Sequence, residues 1–304
     1  MTSTFSVEVF LYIPIIISIF KYMKIIGITF TYNEELLVPF VLDYWKKISP
    51  DKLIVYDNGS TDNTVSLLQS CPFVEVRHYD TGGVFDEIAL TSLRNACWKA
   101  EDADWIILTD FDEVPFYTPE TGSLRDYLEN QPGTIIKTMQ YDTIRENLPI
   151  YENLKLENLL LHQYKGNLFR DPGDRYRKIH TFNKNKIIDM RYAVGCHSCS
   201  PIGTAIPVIS PQELVFFHLR YLGPEYTLQL CKRRYDRLPE RDKNHIGLNF
   251  HYRKTLEEYD EIISQFTREA KPYWRPEDAE KWTCKWGKWY RADDCTLETT
   301  GSQL

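Results

Sequence analysis

Three carboxylates stand within four residues in the segment LTDFDEVPF: Asp110, Asp112 and Glu113. An apolar, strand-like run, Trp105 to Leu108, leads straight into them. Side chains at i and i+2 of an extended segment share a face, so Asp110 and Asp112 point the same way. Like charges at that spacing repel and raise each other's pKa unless a cation comes between them. A hard divalent ion, Mg2+ or Mn2+, is the cation such oxygens take, because it divides its coordination between a few carboxylates and substrate phosphates. A solvated turn after a strand is the plainer alternative, and the place of the cluster in the fold weighs against it.

That place follows from the elements upstream. Residues 24–30 (KIIGITF), 52–56 (KLIVY), 73–79 and 104–109 read as strands. Between them, 34–48, 61–70 and 86–100 have helical spacing, with Asn33 as N-cap of the first helix and Asp57-Asn58-Gly59-Ser60 as the turn closing the second strand. A short helix at 123–130 and a strand at 134–141 follow. This alternation predicts an α/β fold of βαβ units, with a mostly parallel, Rossmann-like sheet covered on both faces. Right-handed crossovers put the C-terminal ends of its strands on one edge, where open α/β sheets bind ligands. Asp57 closes the second strand and Asp110 the fourth, so both are expected to face one crevice.

Bulk properties narrow the partners. The 304 residues are 43% hydrophobic, enough to bury a sizeable core. A net charge of -7 and a pI near 5.6 argue against a broad basic footprint and hence against nucleic acid as a polymeric partner. Seven cysteines are an odd number spread along the chain and suit reduced thiols in a cytoplasmic setting. Cys196-His197-Ser198-Cys199 is a lone CxxC, read as small residues near a turn rather than as half of a zinc site. Residues 9–20 (VFLYIPIIISIF) are apolar but too short to span a bilayer, are broken by Pro14, and lack a basic flank before them. Residues 1–22 are therefore taken as an apolar extension through which peripheral membrane contact stays open, and residues 23–304 as one domain.

Downstream of residue 141 the pattern loosens. It becomes polar and aromatic, with strand-like runs near 178–182 and 186–192, helices at about 224–238 and 255–267, and a tail at 273–290 holding four tryptophans. Such aromatics could stack on a sugar, or simply pack.

Four segments in order carry a family resemblance: FTYNEE after the first strand, VYDNGSTDNT after the second, SLRNACWKA on the third helix and LTDFDE after the fourth strand. Together they resemble the nucleotide-sugar half of the family 2 type glycosyltransferases of GT-A fold, with DFD standing as the DxD motif. The resemblance implies a GT-A domain divided into a nucleotide-sugar-binding half, 23–141, and an acceptor-side half, 142–304. It implies that Thr31, Tyr32 and Glu34 line the nucleotide pocket, that Asp57 binds the base or ribose, and that Arg94 lies near the diphosphate. Asp110 and Asp112 would hold the metal and diphosphate. A surface helix charge is the rival reading of Arg94.

More loosely, YRKIHTF (Lys178), VGCHSCSP (His197) and LVFFHLRYLGPEY (His218) resemble members in which DxDE is followed by a strand-borne lysine and two histidines. This implies Lys178 at the diphosphate and His218 as a third metal ligand or a donor to the diphosphate; a structural histidine is the even alternative. Lys178, Arg220, Lys232 and Arg233 are candidates to meet phosphate, although most such side chains are solvated charges. Inverting transfer needs a general base for the acceptor hydroxyl. Family 2 enzymes often carry it in an ED pair well after DxD, and none occurs here between residue 141 and His218. Asp171 and Asp174 are candidates by position and Glu113 by proximity, which leaves base and stereochemistry open.

The expectation is a metal-dependent hexosyl- or pentosyltransferase, inverting, that moves a sugar from a UDP-linked donor to a glycan or glycolipid acceptor. A nucleotidyltransferase would need a basic residue in the first loop, where TFTYNEE is acidic. A non-catalytic glycan-binding protein with the same fold is the rival from another class.

Overall fold

The computed structural model describes residues 22–117, 122–145, 160–163, 179–196, 198–209, 214–243, 255–269, 271–272, 282–285 and 288–291. Its first half alternates as the periodicity predicts: β1 (Ile25–Thr31), α1 (Val38–Ile48), β2 (Lys52–Asp57), α2 (Thr64–Gln69), β3 (Val74–His78), α3 (Glu87–Ala96) and β4 (Trp105–Leu108). Then come β5 (Glu113–Tyr117), α4 (Leu124–Glu129), β6 (Ile135–Lys137), β7 (Met139–Arg145), β8 (Leu160–Gln163), β9 (Thr181–Asn183) and β10 (Ile187–Asp189). The remaining elements are β11 (Ile202–Gly203), β12 (Pro207–Ile209), β13 (Leu214–Leu222), α5 (Pro224–Asp236), α6 (Glu240–Lys243), α7 (Leu256–Glu269), β14 (Lys271–Pro272), β15 (Trp282–Lys285) and β16 (Lys288–Arg291).

The main sheet has the order β12-β6-β9-β4-β1-β2-β3. β1 pairs in parallel with β2 and β4, β2 with β3, and β12 with β6, while β9 runs antiparallel between β4 and β6. This is a mostly parallel, helix-flanked sheet of Rossmann-like kind. β1 is buried along its whole length because both its edges are paired and both its faces covered. On one face Leu53, Val55 and Ile107 pack under Val41 and Trp45 of α1; on the other Ile28, Ile54 and Ile106 share a cluster with Trp98 and Phe182. Period-2 alternation thus fills two apolar layers at once. Gly27 is what lets α1 settle: a Cβ there would stand 2.3 Å from Trp45 Cζ3. Emptying the Trp45 site would cost about 3–5 kcal/mol.

Two expectations need correcting. The first helix begins at Val38 with Leu37 in the cap position, because Pro39 favours a helix start there and the preceding residues form turns. Asn33 is not its N-cap. It has a left-handed backbone, φ 52°, and its Oδ1 accepts from Thr61 N at 2.7 Å, tying the β1 loop to the β2 loop. The strand expected at 134–141 divides at Thr138 into β6, in the main sheet, and β7, in a second sheet of order β14-β8-β7-β13-β5.

The two sheets meet at the acidic segment. β4 belongs to the main sheet and β5, which starts at Glu113, to the second. Asp110, Phe111 and Asp112 are therefore the crossing between sheets. β13 closes that crossing: it pairs antiparallel with β5 and parallel with β7, and Leu219 N donates to Asp112 O at 2.7 Å. Among the described residues no helix is long and apolar enough to cross a membrane.

Candidate active site

A cleft of about 200 Å³ opens at the C-terminal ends of β1, β2 and β4, walled by α3 on one side and α5 on the other. Of the expected residues it gathers Thr31, Tyr32, Glu34, Arg94, Asp110, Asp112 and His218. Parallel strands deliver the first three and the two aspartates to one edge, as the switch of chain direction beside β1 requires.

Asp112 is buried, 3% exposed, and held from two directions. Arg234 Nη2 of α5 lies 3.1 Å from its Oδ2, and His218 Nε2 of β13 lies 3.5 Å from the same oxygen. The other ring nitrogen of His218, Nδ1, is 2.8 Å from Asp142 Oδ1 on β7. Strand register explains the sandwich, since His218 stands opposite Glu113 on one side and Asp142 on the other. Burial alone would lower the imidazolium pKa, but the carboxylates of Asp112 and Asp142 outweigh it and lift the pKa to about 9.

Asp110 is ion-paired with Arg94 of α3, and the Arg94 guanidinium lies over the Phe30 ring, 4.9 Å from its centroid. Arg94 is 4% exposed, so the reading of a surface charge is set aside. Burial opposes its charge, yet the Cys196 thiol and the Glu113 carboxylate more than offset this and its pKa rises. Glu34 accepts from Arg233 Nη2 at 2.8 Å and from Tyr226 Oη at 3.1 Å, both on α5. Burial pushes its carboxyl pKa up, while Arg233 and Arg234 draw it back. Tyr32 lies under Arg237, whose guanidinium is 3.3 Å from the ring centroid and also donates to Asn58 Oδ1. Thr31 Oγ1 and Arg94 Nε, both on residues lining the cleft, are buried without a hydrogen-bond partner among the described residues.

Other expected residues stand elsewhere. Asp57 reaches the same edge, but its Oδ2 accepts from Gly59 N and Ser60 N, each at 3.0 Å; its neighbour Asn58 lines the cleft instead. Glu113 is 1% exposed beneath the cleft, where its Oε1 accepts from Gln140 Nε2 at 2.9 Å and its Oε2 lies 3.8 Å from His180 Nε2. Arg220 and Arg233 line the cleft, whereas Lys232 is exposed and pairs with Asp236 at 2.5 Å. Asp171, Asp174, Lys178 and His197 lie outside the described residues.

Sequence reasoning passed over Asn58, Asp142, Tyr226, Arg234 and Arg237. A signal for the last three existed: Tyr226, Leu230, Arg234 and Arg237 recur at helical spacing, so two arginines of the run KRRYDR share a face with two buried apolar residues.

Among the described residues no group of three His, Cys, Asp or Glu side chains is arranged to hold a metal ion. Asp112 and His218 nonetheless form a two-member donor set, with the imidazole oriented by a second carboxylate as metal-ligating histidines are. Mg2+ and Mn2+ ask for one or two protein ligands when substrate phosphates supply the rest. Asp110 is turned away from this pair, toward Arg94.

Comparison with known proteins adds a short match. Over 94 residues, 30% of this chain, the sequence is 40% identical to the O-antigen chain rhamnosyltransferase RfbN of Salmonella typhimurium, and the match spans 29% of that enzyme's length. No protein-family model matches the chain. Among solved structures, glucosyl-3-phosphoglycerate synthase from Mycobacterium tuberculosis, in complex with Mn2+, UDP and glucosyl-3-phosphoglycerate, is 20% identical over 39% of this chain and 44% of that one, with a TM-score of 0.27. The 4-diphosphocytidyl-2C-methyl-D-erythritol synthase from Anaerococcus prevotii is 12% identical over 54% and 71%, with a TM-score of 0.28. Structural likenesses this partial say nothing about substrate or mechanism.

Proposed function

We propose that the protein is a metal-dependent glycosyltransferase that moves a sugar from a nucleotide-diphospho-sugar, UDP-linked, to a glycan or glycolipid acceptor. One observation carries the reading: Asp110, Asp112 and His218 converge with several arginines in a single cleft at the ligand-binding edge of an α/β sheet. The local sequence match to a rhamnosyltransferase supports it and makes a deoxyhexose donor one of the sugars to try.

In this reading the Tyr32–Arg237 stack offers a planar face and donors to the nucleobase, and Asn58 stands beside it for the ribose. Asp112 and His218 would hold Mn2+ or Mg2+, which when bound neutralises charge on the departing diphosphate as a Lewis acid. Arg94 and Arg233 orient the donor by charge-assisted hydrogen bonds and favour charge growing on the β-phosphate. The acceptor oxygen forms the new bond to the anomeric carbon while the bond to the β-phosphate oxygen breaks, and the acceptor's proton passes to a base. For inverting transfer we assign that base to Asp171 or Asp174. Glu113, fixed by Gln140 beneath the cleft, is suited to shaping the turn.

Calorimetric titration of UDP, GDP and CDP, each with Mn2+ and with EDTA, tests the proposal. Binding of one nucleotide that vanishes in EDTA is the expected result. Glycan binding with no nucleotide affinity would replace this reading with that of a non-catalytic glycan-binding protein.

A further inference from the structure

The carboxylates of the cleft are neutralised by the protein's own arginines. Asp112, buried, is paired with Arg234, and Asp110 with Arg94, so each carboxylate of the DFD turn has a guanidinium counter-ion. A buried carboxylate needs such a partner, because an uncompensated charge there is not tolerated. The two arginines come from opposite walls, α3 and α5, and the Arg234 side chain is 28% exposed, so it can reorient into the cleft. At the cleft, Arg94 Nε and Thr31 Oγ1 are buried without a hydrogen-bond partner among the described residues.

We propose that Arg94 and Arg234 are exchangeable counter-ions of Asp110 and Asp112, yielding these carboxylates to a divalent cation and turning to the phosphate oxygens of the nucleoside diphosphate that arrives with it. The inference rests on the glycosyltransferase reading and extends it: Arg234 competes with the metal before the nucleotide binds and assists it afterwards. The two ligands are thereby coupled, since each makes the other's site available.

The test separates the two roles. Mn2+ binding is measured by electron paramagnetic resonance without nucleotide, and binding of the nucleoside diphosphate selected from UDP, GDP and CDP by calorimetry with Mn2+, for wild type, R234Q, R234K and K232Q. R234Q should bind Mn2+ alone several-fold more tightly, because its competitor is gone, and the metal–nucleotide about tenfold more weakly, for want of one charge-assisted hydrogen bond. R234K should fall between, and K232Q, altered at an exposed lysine, should match wild type. Should R234Q not fold, as judged by circular dichroism, R234K alone carries the opposed shifts. Loss of Mn2+ affinity, or no change in it, in an otherwise nucleotide-binding protein overturns the exchange and leaves the glycosyltransferase reading standing. A wild type that binds no nucleoside diphosphate with Mn2+ overturns both.

Discussion

Two acidic turns flank β1 at the same edge of the sheet, and they are satisfied in opposite ways. At the end of β2, Asp57 is consumed by its own turn: its carboxylate accepts from the backbone of residues two and three positions later. At the end of β4, Asp110 and Asp112 draw their partners from α3, β13 and α5, the last of them 122 residues away. A carboxylate bonded to adjacent backbone can be freed only by undoing the turn. One held by side chains from separate elements can change partners while the fold stays as it is. The first kind builds the rim of the cleft, and the second is fit to take a ligand.

The largest expected break in this comparison is Asp112→Ala. It should lower sugar transfer by about 10²–10³-fold, in the range of losing one charge-stabilising group, with the circular dichroism spectrum unchanged. Retained turnover in that variant would sink the assignment of the DFD turn. Next comes Asp142→Leu, which leaves the buried His218 Nδ1 without its acceptor and should cost about 1–3 kcal/mol in urea unfolding. It should also weaken Mn2+ affinity by about 10–100-fold, as the removal of an orienting partner does. A variant with full Mn2+ affinity would make Asp142 purely structural.

Asp57→Ala should behave the other way round. Stability should fall by about 1–2 kcal/mol as two backbone N–H groups lose their acceptor, while Mn2+ affinity stays at the wild-type level. A metal-binding defect without a stability change would reverse the contrast between the turns. The smallest effect expected is that of Gly59→Ala, in the same turn. Gly59 has φ +77°, where a Cβ meets only the His78 ring at 3.8 Å, so conformational strain of about 1 kcal/mol is the whole cost. A larger loss of stability would mean that the turn bears more of the fold than its hydrogen bonds account for.

Much of the N-terminal half was legible in the chain. Alternating apolar strands and helices gave β1 to β4 nearly to the residue, and with them the shared edge for Asp57 and Asp110. Legibility failed where a local signal had two solutions. Asn33 is a good cap by type, yet in the left-handed region it serves a loop-to-loop contact with Thr61. Residues 134–141 are apolar enough for one strand, but the chain changes sheets at Thr138.

What the sequence alone determined is short-range: strand and helix periods and the turn at Asp57. These depend on residues within a few positions of one another, so spacing encodes them. The shared face expected of Asp110 and Asp112 on an extended segment is not among them, because the chain turns there, with Glu113 N donating to Asp110 O at 3.1 Å. Tertiary structure decided which cations meet which carboxylates. Arg233 reaches Glu34 across 199 residues because Tyr226 and Leu230 bury one face of α5 and so fix its rotation. His218 meets Asp142 because β13 threads between β5 and β7 and keeps its register with β7 as far as His218. Coulomb attraction has no sequence period, and only the packed sheets and helix bring those charges within reach.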